Sequence, residues 1–140
     1  MITQEAENLA KAIHRVLKED TLIQTALGEE PRLYDDAPED PVFPYLTYGA
    51  MRSTDIGADE TPLSVHQITL HLWSRYAGRA EVLSLITHIH LALTAEHLSA
   101  TEFVNVRRAN IIFSDILRAP DGLTRHGVLR MSFVTEGGAL

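Results

Sequence analysis

Seven histidines give this chain its strongest potential for chemistry, because imidazole binds metals and moves protons near neutral pH. Their spacing does not build a site. His88 and His90 are two residues apart on a predicted helix, so they point to opposite sides of it. His66 and His71 are five apart on a predicted strand and also face opposite ways. No HExxH or comparable spacing occurs, and we predict no metal site and no cofactor.

The other reactive side chains do not form a catalytic arrangement either. Ser114 and Asp115 are neighbours on a predicted strand, which turns them to opposite faces, and no GxSxG motif is present. The sequence also contains no glycine-rich phosphate-binding motif. Arg107 and Arg108 form the only adjacent basic pair, and a strand separates their side chains as well. We therefore predict that the protein is not an enzyme.

Composition and charge restrict the function further. The chain has 140 residues, no cysteine and a net charge of −7, and we predict one domain over residues 1–140. Fifteen acidic and seven basic residues fall in the first hundred, against four and five in the last forty. An acidic body disfavours free-standing nucleic-acid binding. The asymmetry suits a subunit that meets its copies or neighbours through unlike surfaces, although simple solubility would explain it too.

Nothing in the sequence predicts a membrane or secretion signal. No run approaches eighteen consecutive apolar residues. Glu5 and Glu7 occupy the region where a signal peptide would carry positive charge.

The first half of the chain predicts a helix pair followed by strands. Helices are expected over 3–18 and 20–27, with Asp20 as the cap of the second and Gly28 as its end. Residues 29–44 hold four prolines among six acidic residues and predict an irregular connection with a short strand at 32–34. A strand follows at 44–49. A second acidic loop at 54–62 is expected to be mobile in an isolated subunit.

The second half predicts a sheet covered by one long helix. The strand at 65–73 alternates, with Ile68, Leu70 and Leu72 on one face and Thr69, His71 and Trp73 on the other. A helix over 79–95 should cover the first face with an apolar stripe, widened by Leu83. A strand at 103–117 with a bulge near 107–110, a tight turn at 119–122 and a strand at 124–135 complete the pattern.

These elements predict an α+β fold: a mostly antiparallel sheet of about four strands, a long helix packed on one face, and an N-terminal helix pair. The other face carries Trp73 and is either thinly covered or buried by a partner. Trp73, the sole tryptophan, either fills the core or anchors a subunit contact, because aromatic and arginine side chains dominate such contacts. The candidate subunit-interface residues are Trp73, Arg75, Tyr76, Arg79, His71 and Arg125.

Five segments, in this order, resemble one known family. They are Ala-Leu-Gly at 26–28, Arg-Leu-Tyr-Asp at 32–35, Pro-Val-Phe-Pro-Tyr-Leu at 41–46, Leu-His-Leu-Trp-Ser-Arg at 70–75 with Gly-Arg-Ala-Glu at 78–81, and Asp-Gly-Leu-Thr-Arg-His-Gly-Val-Leu-Arg at 121–130. Together they span roughly residues 5–135. In order and spacing the chain is similar to the tail-completion, or tail-terminator, proteins of siphophages, prophages and gene transfer agents.

The resemblance implies a structural virion protein. Such a protein forms a ring, usually a hexamer, that caps the finished tail tube and joins it to the head connector or stopper protein. DNA passes through the ring without sequence-specific binding, and the ring belongs to the virion tail, assembled in the bacterial host cytoplasm. No catalytic residues carry over. The acidic loop containing Asp55, Ile56, Asp59 and Glu60 is the candidate segment for docking to the tube or connector.

Two other classes of function stay open on the sequence. One is a cytoplasmic α+β enzyme or small-ligand binder, which would require a deep apolar pocket with converging polar groups. The other is a dimeric nucleic-acid-binding module, against which the net charge of −7 argues.

Overall fold

A computed structural model describes residues 2–57 and 60–137. This part of the chain forms four helices and five strands: α1 (Ile2–Glu19), α2 (Thr21–Leu27), β1 (Leu33–Tyr34), β2 (Tyr45–Asp55), β3 (Leu63–Ser74), α3 (Ala80–Ala92), α4 (Ala95–Ala100), β4 (Val106–Arg118) and β5 (Arg125–Glu136). None of the helices is long and apolar enough to cross a membrane, as far as the described residues show. The α+β class is confirmed.

The strands form one mixed sheet in the order β1-β2-β3-β5-β4. β1 runs parallel to β2 through Leu33 and Tyr34, and the other pairs are antiparallel. The expected sheet of about four strands therefore has five in the described chain, because the two-residue β1 adds a parallel edge. The register of β4 shifts at Arg107, where a bulge was expected, and again at Ile112.

The N-terminal helix pair is confirmed. The Asp20 carboxylate accepts hydrogen bonds from the backbone N–H groups of Leu22 and Ile23, at 2.9 and 3.0 Å, which caps α2. Gly28 ends that helix with a φ of 105°, a conformation that favours glycine.

The single long helix predicted over 79–95 is wrong. α3 ends at Ala92, and Thr94 begins α4 because its hydroxyl accepts a hydrogen bond from His97 N–H at 3.1 Å. His97 lies within α4. The role given to Leu83 is also wrong: its side chain is 51% exposed, whereas Leu85 is buried at 1%.

The core lies between the helices and one face of the sheet. Alternate residues of β3 and β5 are buried there, namely Ile68, Leu70, Leu72, Leu129, Met131 and Phe133. Gly127 allows α3 to approach β5, because a Cβ at this position would lie 2.5 Å from Val82 Cγ1. The intervening residues of both strands point to the opposite face and are mostly half-buried. We call that second face the open face.

Candidate functional site

Five rings form a continuous row across the open face. Phe43 precedes β2, and its ring centroid lies 5.1 Å from that of Tyr45. Tyr45 lies 6.2 Å from Trp73, Trp73 lies 4.0 Å from His126, and His126 lies 5.0 Å from His71. The Trp73 and His126 planes are only 8° apart, so these two rings stack face to face. We call these five residues the aromatic row.

Strand register explains why the row forms. Tyr45 pairs with Trp73 across β2 and β3, and Trp73 pairs with His126 across β3 and β5. Directly opposed residues have Cβ atoms about 5 Å apart, which brings large planar side chains into contact. Gly49 leaves room at the end of the row, because a Cβ there would lie 2.6 Å from His71 Nε2.

Two hydrogen bonds connect polar atoms of the row to neighbours on the same face. His71 Nδ1 lies 2.8 Å from His126 Nε2, so one ring donates a hydrogen bond to the other. Burial lowers the pKa of both imidazoles, and for His126 the nearby His71 lowers the pKa further, which keeps the pair neutral at pH 7. Trp73 Nε1–H donates to Thr47 Oγ1 at 3.0 Å. Two histidines bonded to each other are not a metal site, and the described residues contain no group of three or more potential metal ligands.

Arg75 links the row to the β4–β5 turn. Its guanidinium carbon lies 4.3 Å from the Phe43 ring centroid, and its Nε–H donates to Thr124 Oγ1 at 3.3 Å. Arg75 Nη2 lies 3.8 Å from Asp121 Oδ2. Asp121 also accepts from the backbone N–H groups of Thr124 and Leu123 and from the Thr124 hydroxyl, which lowers the pKa of this carboxyl to about 2. The turn is thus fixed against the row.

The structure brings three of the six candidate interface residues together. His71 and Trp73 belong to the aromatic row, and Arg75 lies against Phe43. Tyr76 and Arg79 are exposed in the connection between β3 and α3, and Tyr76 is 54% exposed.

Arg125, the sixth candidate, begins β5 next to the row but faces the other way. It pairs with Ser74 of β3 on one side and with Arg118 of β4 on the other. Two arginines therefore lie directly opposite each other at the end of the β4–β5 hairpin. We call Arg118 and Arg125 the arginine pair.

Phe43, Tyr45 and His126 were not predicted from the sequence. His126 precedes the alternating residues of the last predicted strand. Its position near the strand end could be predicted, but its pairing with Trp73 could not. The signal that identifies it is the β3–β5 register, which brings residues 53 apart in the chain side by side.

The candidate docking loop extends beyond the β2–β3 end of the sheet. Asp55 ends β2, and its carboxylate accepts from Gly57 N–H at 2.9 Å. Ile56 is more than half exposed and bonds Leu63 through its backbone. Glu60 is exposed, and Asp59 lies outside the described residues.

One Ser–His contact has the distance of a nucleophile–base pair. Ser53 Oγ lies 2.7 Å from His66 Nδ1, and His66 Nε2 lies 2.9 Å from Thr135 Oγ1. The third member is a hydroxyl and not a carboxylate, and the His66 side chain is completely buried. This arrangement is a hydrogen-bond chain that joins three strands.

An open groove of about 830 Å³ runs between α1 and β2. His14 Nδ1 and the Tyr48 hydroxyl, both in its lining, bond each other at 2.9 Å. Burial, together with the nearby Asp35 carboxylate, raises the pKa of the Tyr48 hydroxyl. Arg15 lies over the Phe103 ring at 4.5 Å. Lys11 and Glu7, also in the lining, form an ion pair at 3.2 Å, so four of the polar groups of the groove are engaged with one another.

Comparison with known proteins identifies a matching family and a solved structure with a similar fold. The family model described as tail completion protein gp17 matches residues 11–136. Among solved structures, the chain is similar to a chain of the virion of a native gene transfer agent particle, with a TM-score of 0.79 and 19% identity over 95% of this chain and 98% of that one. No curated protein sequence matches the chain.

Proposed function

Because the chain belongs to the tail completion protein gp17 family, we propose that it terminates the tail tube and joins it to the head connector, as a ring through which DNA passes. A structural role in a phage-type tail follows from the family. The hexameric copy number, the tube and connector contacts and the passage of DNA are parts of the proposal.

The observation that carries the proposal is the extent of the family match. It runs from the middle of α1 to the end of β5, so it includes the whole sheet and both of its faces. The fold shared with a gene transfer agent virion chain supports the same reading.

The open face supports a role in assembly. Its aromatic row presents ring faces and edges, and Trp73 Nε1–H and one N–H of the His71–His126 pair are bonded within the face. Aromatic and arginine side chains in such surroundings are typical anchors of protein–protein contacts. The net charge of −7 suits a ring around DNA, because a strongly basic lining would bind the phosphates and hold the DNA in place.

Electron microscopy of particles made with and without this chain tests the proposal. We expect preparations that lack it to contain heads separated from tubes whose ends are not capped. Adding the purified protein back should cap the tubes and restore joining. Heads joined to tubes of normal length in the absence of this chain would contradict the proposal.

A further inference from the structure

Opposite charges lie at the two lateral edges of the sheet. Beyond β1, at one edge, residues 35–40 carry four exposed carboxylates, namely Asp35, Asp36, Glu39 and Asp40. We call residues 35–40 the acidic segment. At the other edge, the arginine pair closes the β4–β5 hairpin.

The arginine pair has no carboxylate to balance it within its own chain. Like charges directly opposite each other destabilise a strand pair. Within residues 2–57 and 60–137, neither Arg118 nor Arg125 forms a salt bridge. The nearest acidic residue of the turn, Asp121, is bound by Arg75 and by the turn itself. The pair is therefore a positive site without an internal partner.

The two charged sites lie at different levels along the strands. A single line of paired residues crosses all five strands, from Leu33 to Leu46, Leu72, Gly127 and Ile116. The acidic segment starts two residues from this line on the side of Tyr48 and Leu70, and the arginine pair lies two residues from it on the opposite side, beside Ser74. Four residues of a strand span about 13 Å. Copies related by rotation alone do not shift along the axis, so a ring closed through these two sites has strands that are inclined to its axis.

We propose that the acidic segment of one copy binds the arginine pair of the next, so that copies of this chain join edge to edge, head to tail. This inference rests on the proposed ring and names the surfaces that close it. An exposed apolar residue lies next to each site in the chain: Val42 follows the acidic segment, and Leu117 precedes Arg118 with its side chain on the open face. The partner that fits each edge is a second copy, because a second copy carries the opposite charge at its other edge.

Disulfide trapping tests this contact directly, because the sequence contains no cysteine. The variant Asp36→Cys/Arg118→Cys places one thiol at each edge. The edges are four strand spacings apart, about 19 Å, which is too far for a disulfide within one chain. A head-to-tail contact then gives a ladder of covalent oligomers on a non-reducing gel, and the ladder ends at the copy number of the ring.

The matched control is Asp36→Cys/Arg108→Cys. Arg108 is also exposed on β4 but lies ten residues from Arg118, about 33 Å along the strand. We expect at least tenfold less oligomer from the control. Equal ladders, no ladder, or a product that stops at the dimer would overturn the inference.

Charge reversal gives an independent measurement by native mass spectrometry of the protein bound to tube ends. Arg118→Glu/Arg125→Glu should weaken association about tenfold or more, and adding Asp36→Arg/Asp40→Arg to the same chain should restore it. Arg52→Glu/Arg108→Glu, with the same change in net charge, should have little effect. Capped tubes without a ladder would overturn this contact and leave the proposed function standing. A ladder without capped tubes would support this contact and overturn the proposed function.

Discussion

Replacing Trp73 by alanine tests the importance of the aromatic row. The substitution removes the stack on His126, for which ring centroids are 4.0 Å apart, and the hydrogen bond to Thr47 at 3.0 Å. An aromatic contact of this kind contributes about 1 kcal/mol, and a part-exposed hydrogen bond about as much. Because Trp73 is half-buried, we expect a loss of about 2 kcal/mol, below the roughly 3–5 kcal/mol of a fully buried tryptophan.

A loss of this size lowers the melting temperature of a 140-residue domain by about 7 °C. Far-UV circular dichroism during urea and thermal unfolding measures it without using tryptophan fluorescence. Tyr76→Ala is the matched control, since this aromatic residue is 54% exposed and outside the row, and we expect a change within about 0.5 kcal/mol.

Assembly is measured beside stability, by sizing and by capping of tube ends. If Trp73→Ala leaves stability unchanged but abolishes capping, the row acts as a contact surface. If stability falls and the refolded variant still caps tubes, the row acts within the subunit. Unchanged stability together with unchanged assembly would refute both roles.

Three further predictions concern the subunit itself. The free energy of unfolding should fall as the pH drops from 7 towards 5. Burial lowers the pKa values of His66, His71 and His126 below the ordinary 6.5, so the unfolded chain binds more protons than the folded chain in this range. Urea titrations at several pH values measure the summed effect. A flat profile would contradict it. Gly127→Ala should cost about 2 kcal/mol, because the added Cβ meets Val82 Cγ1, and a melting point equal to the wild type would show that α3 can retreat. Asp20→Ala should cost about 1 kcal/mol by removing the α2 cap, as chemical denaturation can verify, and Asp20→Asn should retain most of the stability.

Local signals in the sequence predicted most of the elements. Asp20 as a cap, Gly28 as a helix end and the turn at Gly122, with its φ of 73°, depend on residues close in the chain. The break between α3 and α4 was missed because the apolar stripe continues through Leu93 while the cap at Thr94 interrupts the backbone. The short strand predicted at 32–34 is present as β1, but its parallel pairing with β2 could not be predicted from alternation.

The site was less predictable than the fold, since it depends on register. Trp73 and His71 could be assigned to one face by alternation, but their neighbours come from β2 and β5. Alternation shows which face a residue takes and not which strand lies beside it. The arginine pair was hidden for the same reason, because residues 118 and 125 become neighbours only through the length of the hairpin turn.

The open face and the sheet edges should make different contributions to assembly. The aromatic row has no charged side chain, and Trp73 Nε1–H and one imidazole N–H are bonded within the face, so a partner there meets mainly ring surfaces and the contact should depend little on salt. The edges, in contrast, carry charged side chains that form no salt bridge within the described residues, in the acidic segment and the arginine pair. Exposed ion pairs weaken as ionic strength rises, because mobile ions screen them over about 8–10 Å. Raising salt should therefore separate copies joined through their edges while leaving contacts of the open face in place. In high salt, we expect the protein to stay bound to the tube while contacts between neighbouring copies are lost. Release from the tube at the same salt concentration would contradict this difference between the two surfaces.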